Sequence, residues 1–323
     1  MTFTKLFLAL TLFTSGSAAL AGSELIVPEK ITDDDFRFTS KQCQLQLDVN
    51  PQVGGRISQL LFDKRNVMTP YACGSSYNPR SQCNGSGSTF WTSPQRAWPV
   101  APWPPVLSLD GAVYTSQVKR KHVFMSSGSN DALGAFVEKD FSIDESHCII
   151  NLKYTLNASR AVTWAPWEIT RVPRGGIAFF AVGDKDKFAA GPLAPRVTMS
   201  KDESIAWFDD TGIPALNSVG GSKLIADGRG GWLAYVLDKR LFIKRFPDVP
   251  VESIAPNEGD VEIYAGADFL ELEVQGKYTA LKEYEQLPWN VTWQVVKIPK
   301  TVKIAAGSES LLKFVRDQLA SLH

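Results

Sequence analysis

The feature that most limits the fold of this chain is a two-residue rhythm in its apolar side chains. Cys43, Leu45, Leu47 and Val49 alternate with Gln44, Gln46 and Asp48. Cys148, Ile150, Leu152, Tyr154 and Leu156 form a longer stripe. Leu270, Leu272 and Val274 alternate with Glu271, Glu273 and Gln275, and Trp289, Val291, Trp293 and Val295 alternate with Asn290, Thr292 and Gln294. Successive side chains of an extended strand point to opposite faces, so each stripe predicts a half-buried antiparallel strand. Shorter apolar segments at 232–237 and 241–246 flank Asp238-Lys239-Arg240 and predict a hairpin. Helical spacing is convincing in one place. Leu311, Val315, Leu319 and Leu322 share a face over 309–322, and Ser308 can cap the first turn. Many short strands divided by turn signals predict an all-β fold, a sandwich or barrel. No linker-like stretch divides residues 22–323, so one domain is expected there.

Residues 1–21 are set apart from that domain. Lys5 is their only charge, an apolar run follows over 6–13, and small residues end in Ala19-Leu20-Ala21. This is the layout of a secretory signal peptide, with a run too short to cross a bilayer as a helix. The chain is therefore expected to be exported, to the periplasm or beyond, without membrane insertion after cleavage. Lys+Arg and Asp+Glu number 34 each, so no basic field attracts nucleic acid. Only His122, His147 and His323 carry imidazoles, which argues against His-rich metal sites and chemistry needing two such groups. No nucleophile elbow, P-loop or H-E-x-x-H motif occurs, and neither metal nor cofactor is called for.

Four cysteines in an exported chain favour disulfides. Cys73 and Cys83 bracket a Gly-, Ser-, Asn- and Pro-rich loop and suit a local staple. Cys43 and Cys148 each lie on an apolar stripe and can meet in the core, as a bond or as two buried thiols. The spacing C-x₂₋₄-C of zinc sites is absent.

Three segments hold candidate functional residues. The stretch from 73 to 105 has few period-2 signals and reads as a long loop excursion. It carries Phe90, Trp91, Trp98 and Trp103 among prolines, flat rings suited to the apolar face of a sugar. The same rings could instead pack as a satellite core. The segment WAPWEITRVPRGG sets Glu168 and Arg171 beside Trp164 and Trp167, which suits a polyhydroxylated ligand or, alternatively, a surface ion pair on a loop. The stripe DFLELEVQ puts Glu271, Glu273 and Gln275 on one face. Its i, i+2 separation of about 6.6 Å falls near the ~6.5–9.5 Å of paired glycosidase carboxyls. Any alternating strand gives that spacing, and a solvated sheet face explains it equally.

VNPQVGGRISQLLFDKRNVM at 49–68 resembles the opening strands of galactose-mutarotase-like domains. DFLELEVQ resembles the strand bearing the essential Glu of that superfamily and aligns Glu273 with it. NASRAVTWAPWEITRVPRGG is similar to the strand and loop after the Asn-rich segment there. The set resembles a poorly characterised, exported, mostly bacterial branch. The resemblance covers most of residues 22–323 and implies a supersandwich of large antiparallel sheets with a concave carbohydrate-binding face. Mutarotases open the sugar ring with a Glu base and a His acid, and the matching region here has no histidine. Aldose epimerisation is therefore not carried over.

The reading that results is an exported saccharide-binding protein, with Trp91, Trp98, Trp103 and Trp167 as stacking surfaces and Glu168, Arg171 and Glu273 as polar contacts. The alternative is a carbohydrate-active enzyme (an epimerase, hydrolase or lyase) with Glu273 as base and Glu168 as acid. A third reading is a non-catalytic envelope scaffold that uses the fold as a rigid body, with the tryptophans packed inward.

Overall fold

The computed structural model describes residues 25–32, 35–74, 78, 85–99, 104–128, 132–202, 204–212 and 222–321. Among these, the strands form two antiparallel sheets. The first sheet has 11 strands. Its main path runs Glu29–Lys30, Phe36–Ser40, Leu45–Asn50, Arg56–Phe62, Ser88–Ser93, Val162–Pro173, Phe269–Gln275, Val261–Ala265 and Ser222–Ala226. The second has 10, in the order Val197–Met199, Ile205–Asp209, Ile177–Val182, Gly228–Leu237, Arg240–Arg245, Gln286–Lys297, Ile149–Ala158, Ala135–Asp144, His122–Ser126 and Thr115–Lys119. The architecture is the all-β sandwich that the alternating stripes predict.

The stripes face each other across the interior. Leu270, Leu272 and Val274 of the first sheet share one core with Leu152, Tyr154, Trp289, Val291 and Trp293 of the second. Phe90 stacks on Tyr154 with centroids 4.7 Å apart, tying the middle of one sheet to the other. The predicted hairpin is formed by the 228–237 and 240–245 strands, which pair from Trp232↔Arg245 to Leu237↔Arg240. The C-terminal helix spans Glu309–Ala320. The Ser308 hydroxyl accepts from the Leu311 N–H at 3.3 Å, as an N-cap should. Leu311 and Val315 are buried with Phe179, Trp207, Trp232 and Ile243 on the outer face of the second sheet.

Cys43 and Cys148 are bonded, with Cα atoms 5.4 Å apart, and join the 41–44 turn of the first sheet to the 145–148 turn of the second. Cys73 is also disulfide-bonded. Its expected partner Cys83 lies outside the described residues, as do Trp103, His323 and the proposed signal segment.

Two expectations need correction. The 73–105 stretch is not wholly a loop excursion: it contains the 88–93 strand, which pairs with Arg56–Phe62 on one side and Val162–Pro173 on the other. All six of its residues are buried. A strand covered on both faces needs no polar alternation, so the period-2 signal is missing. For the same reason WAPWEITRVP is no loop. It belongs to a 12-residue strand at the centre of the sheet.

One turn depends on glycine. Gly54 has φ 68° and Gly55 φ 55°, in the left-handed region. A Cβ on Gly54 would also strike the Asp110 carbonyl. The turn delivers Arg56 to Asp110, an ion pair of 3.2 Å with both side chains fully buried.

Candidate functional site

Strand register decides which side chains meet. Trp167 lies opposite Gln275 and Trp91, Ile169 opposite Glu273 and Thr89, and Arg171 opposite Glu271. Glu273 is also opposite Glu262, and Lys223 is opposite Tyr264 on the next strand. Residues directly opposite share a face. Trp91, Trp167, Arg171, Glu262, Glu271, Glu273, Gln275 and Lys223 therefore stand together on the face of the first sheet that points away from the second.

Lys223 is the hub of this face. Its Nζ lies 2.5 Å from Glu262 and 3.0 Å from Glu273, and 4.7 Å above the Trp167 ring. The Trp167 indole donates to Glu273 Oε2 at 2.9 Å. Arg171 forms a second hub, donating to Glu271 Oε1 at 2.8 Å and to Thr89 Oγ1 at 2.7 Å, with its guanidinium 5.2 Å from the Trp91 ring. The Trp91 indole donates to Asp110 at 2.8 Å, which ties the face to the buried Arg56–Asp110 pair.

Among the described residues, Ser93 Oγ and Glu262 Oε2 of this face lack a hydrogen-bond partner, and so do two neighbouring groups on the 269–275 strand. Glu273 Oε1 and both amide atoms of Gln275 are buried and unbonded, although each residue is only 1% exposed. Burying such atoms unpaired costs about 1–3 kcal/mol each, more for charged groups. Lys223 and Glu271, with side chains 25% and 13% exposed, connect this face to solvent.

The electrostatics follow from burial. Desolvation pushes the Glu273 carboxyl up to about 7, with Glu262 adding to the rise and Lys223 opposing it. Burial likewise raises Glu262, Glu271 and Glu258, each against the pull of a nearby cation. Burial works against the Lys223 charge, but Glu262 and Glu273 outweigh it and hold its pKa above the usual lysine range. A carboxyl titrating near neutrality can accept and return a proton at working pH.

The sequence-derived candidates divide on this geometry. Glu273, Arg171, Trp167 and Trp91 share the face. Trp98 joins them through its packing, with its centroid 5.4 Å from Trp91 and 6.2 Å from Trp167. The three indoles do not form an open stacking platform. They are 4%, 4% and 1% exposed (Trp91, Trp98 and Trp167) and pack mostly edge to face on one another. They are a wall rather than a tray.

Glu168 is the clear correction. It neighbours Trp167 in sequence and so points to the opposite face, into the sandwich. There it meets Lys244 at 2.5 Å, Thr170 at 2.6 Å and the Ser88 hydroxyl. It cannot act as the acid partner of Glu273, because the sheet itself separates them.

Reading the sequence also passed over Lys223, Glu258 and Glu262. Glu262 was accessible, since Val261, Ile263 and Ala265 alternate around it; Lys223 has no comparable signal. His122 and His147 pair with Asp140 and Asp144 at 2.6 and 2.9 Å on the second sheet and play no part here. A groove of about 640 Å³ crosses the outer face of the second sheet between Lys119, Phe124, Glu138 and Lys153, but it holds none of the unbonded buried groups. Among the described residues no cluster of three or more His, Cys, Asp or Glu is arranged to hold a metal ion.

Comparisons with known proteins agree with this architecture. A family model described as a domain of unknown function, DUF4380, matches residues 36–296. No curated protein matches the chain. Among solved structures, a galactose 1-epimerase from Lactobacillus acidophilus NCFM aligns with TM-score 0.53 and 11% identity, over 86% of this chain and 100% of its own. A GalM/aldose epimerase homologue from C. elegans gives 0.54 and 9%, over 86% and 100%. A galactose mutarotase-like protein from Clostridium acetobutylicum gives 0.51 and 9%, over 85% and 99%. At such identities the likeness is one of fold, and the fold is galactose-mutarotase-like.

Proposed function

The chain belongs to the DUF4380 family, and from that premise we propose that it binds a saccharide on the outer face of its 11-stranded sheet. One observation carries the reading: Glu273 Oε1 and the Gln275 amide are buried, unbonded and side by side on a face walled by indoles. A polyhydroxylated ligand supplies donors and acceptors for such groups, and aromatic edges pack on its C–H surfaces. The fold neighbours described as a galactose 1-epimerase and an aldose epimerase homologue support the same class of ligand. We place the protein in the cell envelope, exported by residues 1–21; the composition of that segment supports this.

Tryptophan fluorescence of the purified protein, titrated with neutral and charged mono- and oligosaccharides, tests the reading. A saturable change is expected, reduced about five- to thirtyfold in affinity by Gln275→Ala, because one lost amide contact is worth about 1–2 kcal/mol. Silence across the panel from a folded protein would overturn it.

A second reading, proton-transfer catalysis, is favoured by the Glu273 carboxyl lying near 7 and facing Glu262 across Lys223. Two coupled carboxyls could divide the acid and base roles that mutarotases give to Glu and His. Polarimetry of freshly dissolved α-anomers checks it. Accelerated mutarotation, lost in Glu273→Gln, is the expected result, and an unchanged rate in that variant removes Glu273 from any catalytic role.

A further inference from the structure

We infer that this site selects a saccharide bearing a protonated amine over its neutral counterpart, and rejects the corresponding uronate. The inference deepens the saccharide reading and rests on it.

The first ground is the balance of charge. Four carboxyls, Glu258, Glu262, Glu271 and Glu273, gather around two cations, Lys223 and Arg171. Glu258 is drawn in through the Gln95 N–H, which it accepts at 3.1 Å. Both cations are already engaged. Lys223 is shared between Glu262 and Glu273 and covers Trp167, and Arg171 is held by Glu271, Thr89 and the Trp91 face. The site therefore holds more carboxyls than its own cations can neutralise.

The second ground is independent of charge counting. Among the described residues, the buried atoms of this face that lack a hydrogen-bond partner include a carboxylate oxygen, Glu273 Oε1, and the neighbouring Gln275 amide, both on residues 1% exposed. A carboxylate oxygen accepts and cannot donate when ionised. Its strongest complement is an N⁺–H donor, and charge-assisted hydrogen bonds are about twice as strong as neutral ones. The amide can bond an adjacent ring hydroxyl in either direction. A uronate would bring another carboxylate beside Glu273 with both local cations occupied, and like charges at that range repel strongly where water is scarce.

The raised carboxyls add a measurable consequence. Burial holds Glu273, Glu262, Glu271 and Glu258 partly toward their neutral forms. A cation bound among them favours the ionised forms, so an amino sugar should release protons as it binds. A neutral sugar should release few.

The experiment is isothermal titration of the purified protein at pH 7 with glucose, glucosamine and glucuronate, each free and as a short oligosaccharide, in two buffers of different ionisation enthalpy. Glucosamine is expected to bind at least about tenfold more tightly than glucose, the ratio that one charge-assisted bond supplies. Its heat should differ between buffers by an amount reporting proton release, and glucuronate should bind more weakly than glucose. Glu262→Gln, which removes one negative charge and keeps the shape, should narrow the glucosamine-to-glucose affinity ratio by at least about threefold, whatever its effect on the affinity for glucose itself. Glucose or glucuronate binding as tightly as glucosamine would overturn the inference and leave the saccharide reading standing. No heat with any of the three, from protein with an intact thermal transition, would overturn the saccharide reading and the inference with it.

Discussion

At the scale of single residues, the fold turns on side chains whose surroundings leave them no alternative. Gly54 is one. Its left-handed backbone and the Asp110 carbonyl against it exclude any Cβ. Gly54→Ala should cost about 1–3 kcal/mol, combining backbone strain and displacement of the Asp110 loop. Urea denaturation would measure it, and an unchanged midpoint would show that the turn relaxes freely. Glu273 is another. The chain places it by simple alternation, yet the property that makes it interesting, a carboxyl lifted to about 7, comes from burial and from Glu262, against the pull of Lys223, and these two partners lie on two further strands. No local pattern around DFLELEVQ could announce that environment.

At the scale of elements, the Val162–Pro173 strand does two jobs with its two faces. Arg171 and Trp167 serve the outer site, while Glu168 reaches inward to Lys244 of the second sheet. Lys244 Nζ also donates to the Leu272 carbonyl at 2.6 Å, so the ion pair bridges the sheets directly behind Glu273. Burial lowers the Lys244 pKa, with a smaller push from Arg171, and Glu168 opposes both. Lys244→Met should therefore destabilise by about 3–5 kcal/mol, since it strands a buried carboxylate. The double variant Glu168→Leu/Lys244→Met should recover most of that loss in chemical denaturation, and failure to recover would mean that the pair is worth more than its packing.

This strand also shows where sequence reading succeeds and where it stops. Stripes with one wet or polar face, such as 45–50, 269–275 and 286–297, are plain in the sequence because alternation survives. The 88–93 and 162–173 strands, covered on both sides, lack that alternation. Trp91, Trp167 and Arg171 of the candidate site sit on those two strands. The sequence groups Trp91, Trp167, Arg171 and Glu168 with Glu273, and in the structure the first three share its face while Glu168 does not. Treated as a strand, WAPWEITRVP would have separated Glu168 from Arg171 by parity alone.

At the scale of the whole molecule, several buried acids set how stability varies with pH. Asp260 is pushed up to about 8, first by burial and then by Asp227 and Asp248, against the Gly228 N–H that it accepts. Glu273 is raised to about 7. A carboxyl with a folded pKa above its unfolded one binds its proton more tightly in the native state. Its stabilising contribution is complete below the unfolded value and is lost as pH rises through the folded value. Lys139, lowered to about 7 by burial and by Arg56, acts in the opposite sense, but only above about 7. Between pH 5 and 7 the acids act alone, so Tm should fall across that window. Asp260→Asn should flatten the fall and raise Tm at pH 8 relative to the parent. A Tm that rises from pH 5 to 7 would contradict this account. The Cys43–Cys148 bond closes a loop of separation 105, and its reduction should cost about 2–5 kcal/mol, visible as a lower Tm in dithiothreitol.

The order of strands across the first sheet has a consequence in time. The candidate site is assembled from strands beginning at residues 88, 162, 222, 261 and 269, and the 269–275 strand, which carries Glu273, sits between 162–173 and 261–265. Such pairings join distant parts of the chain, and folds dominated by them form in milliseconds to seconds. A chain delivered from its N-terminus can collapse its early hairpins but has no Glu273 to offer until almost all of it has arrived. Binding of the proposed ligand would thus report completed folding, and a chain cut short before residue 269 is expected to show none however well its first sheet had begun.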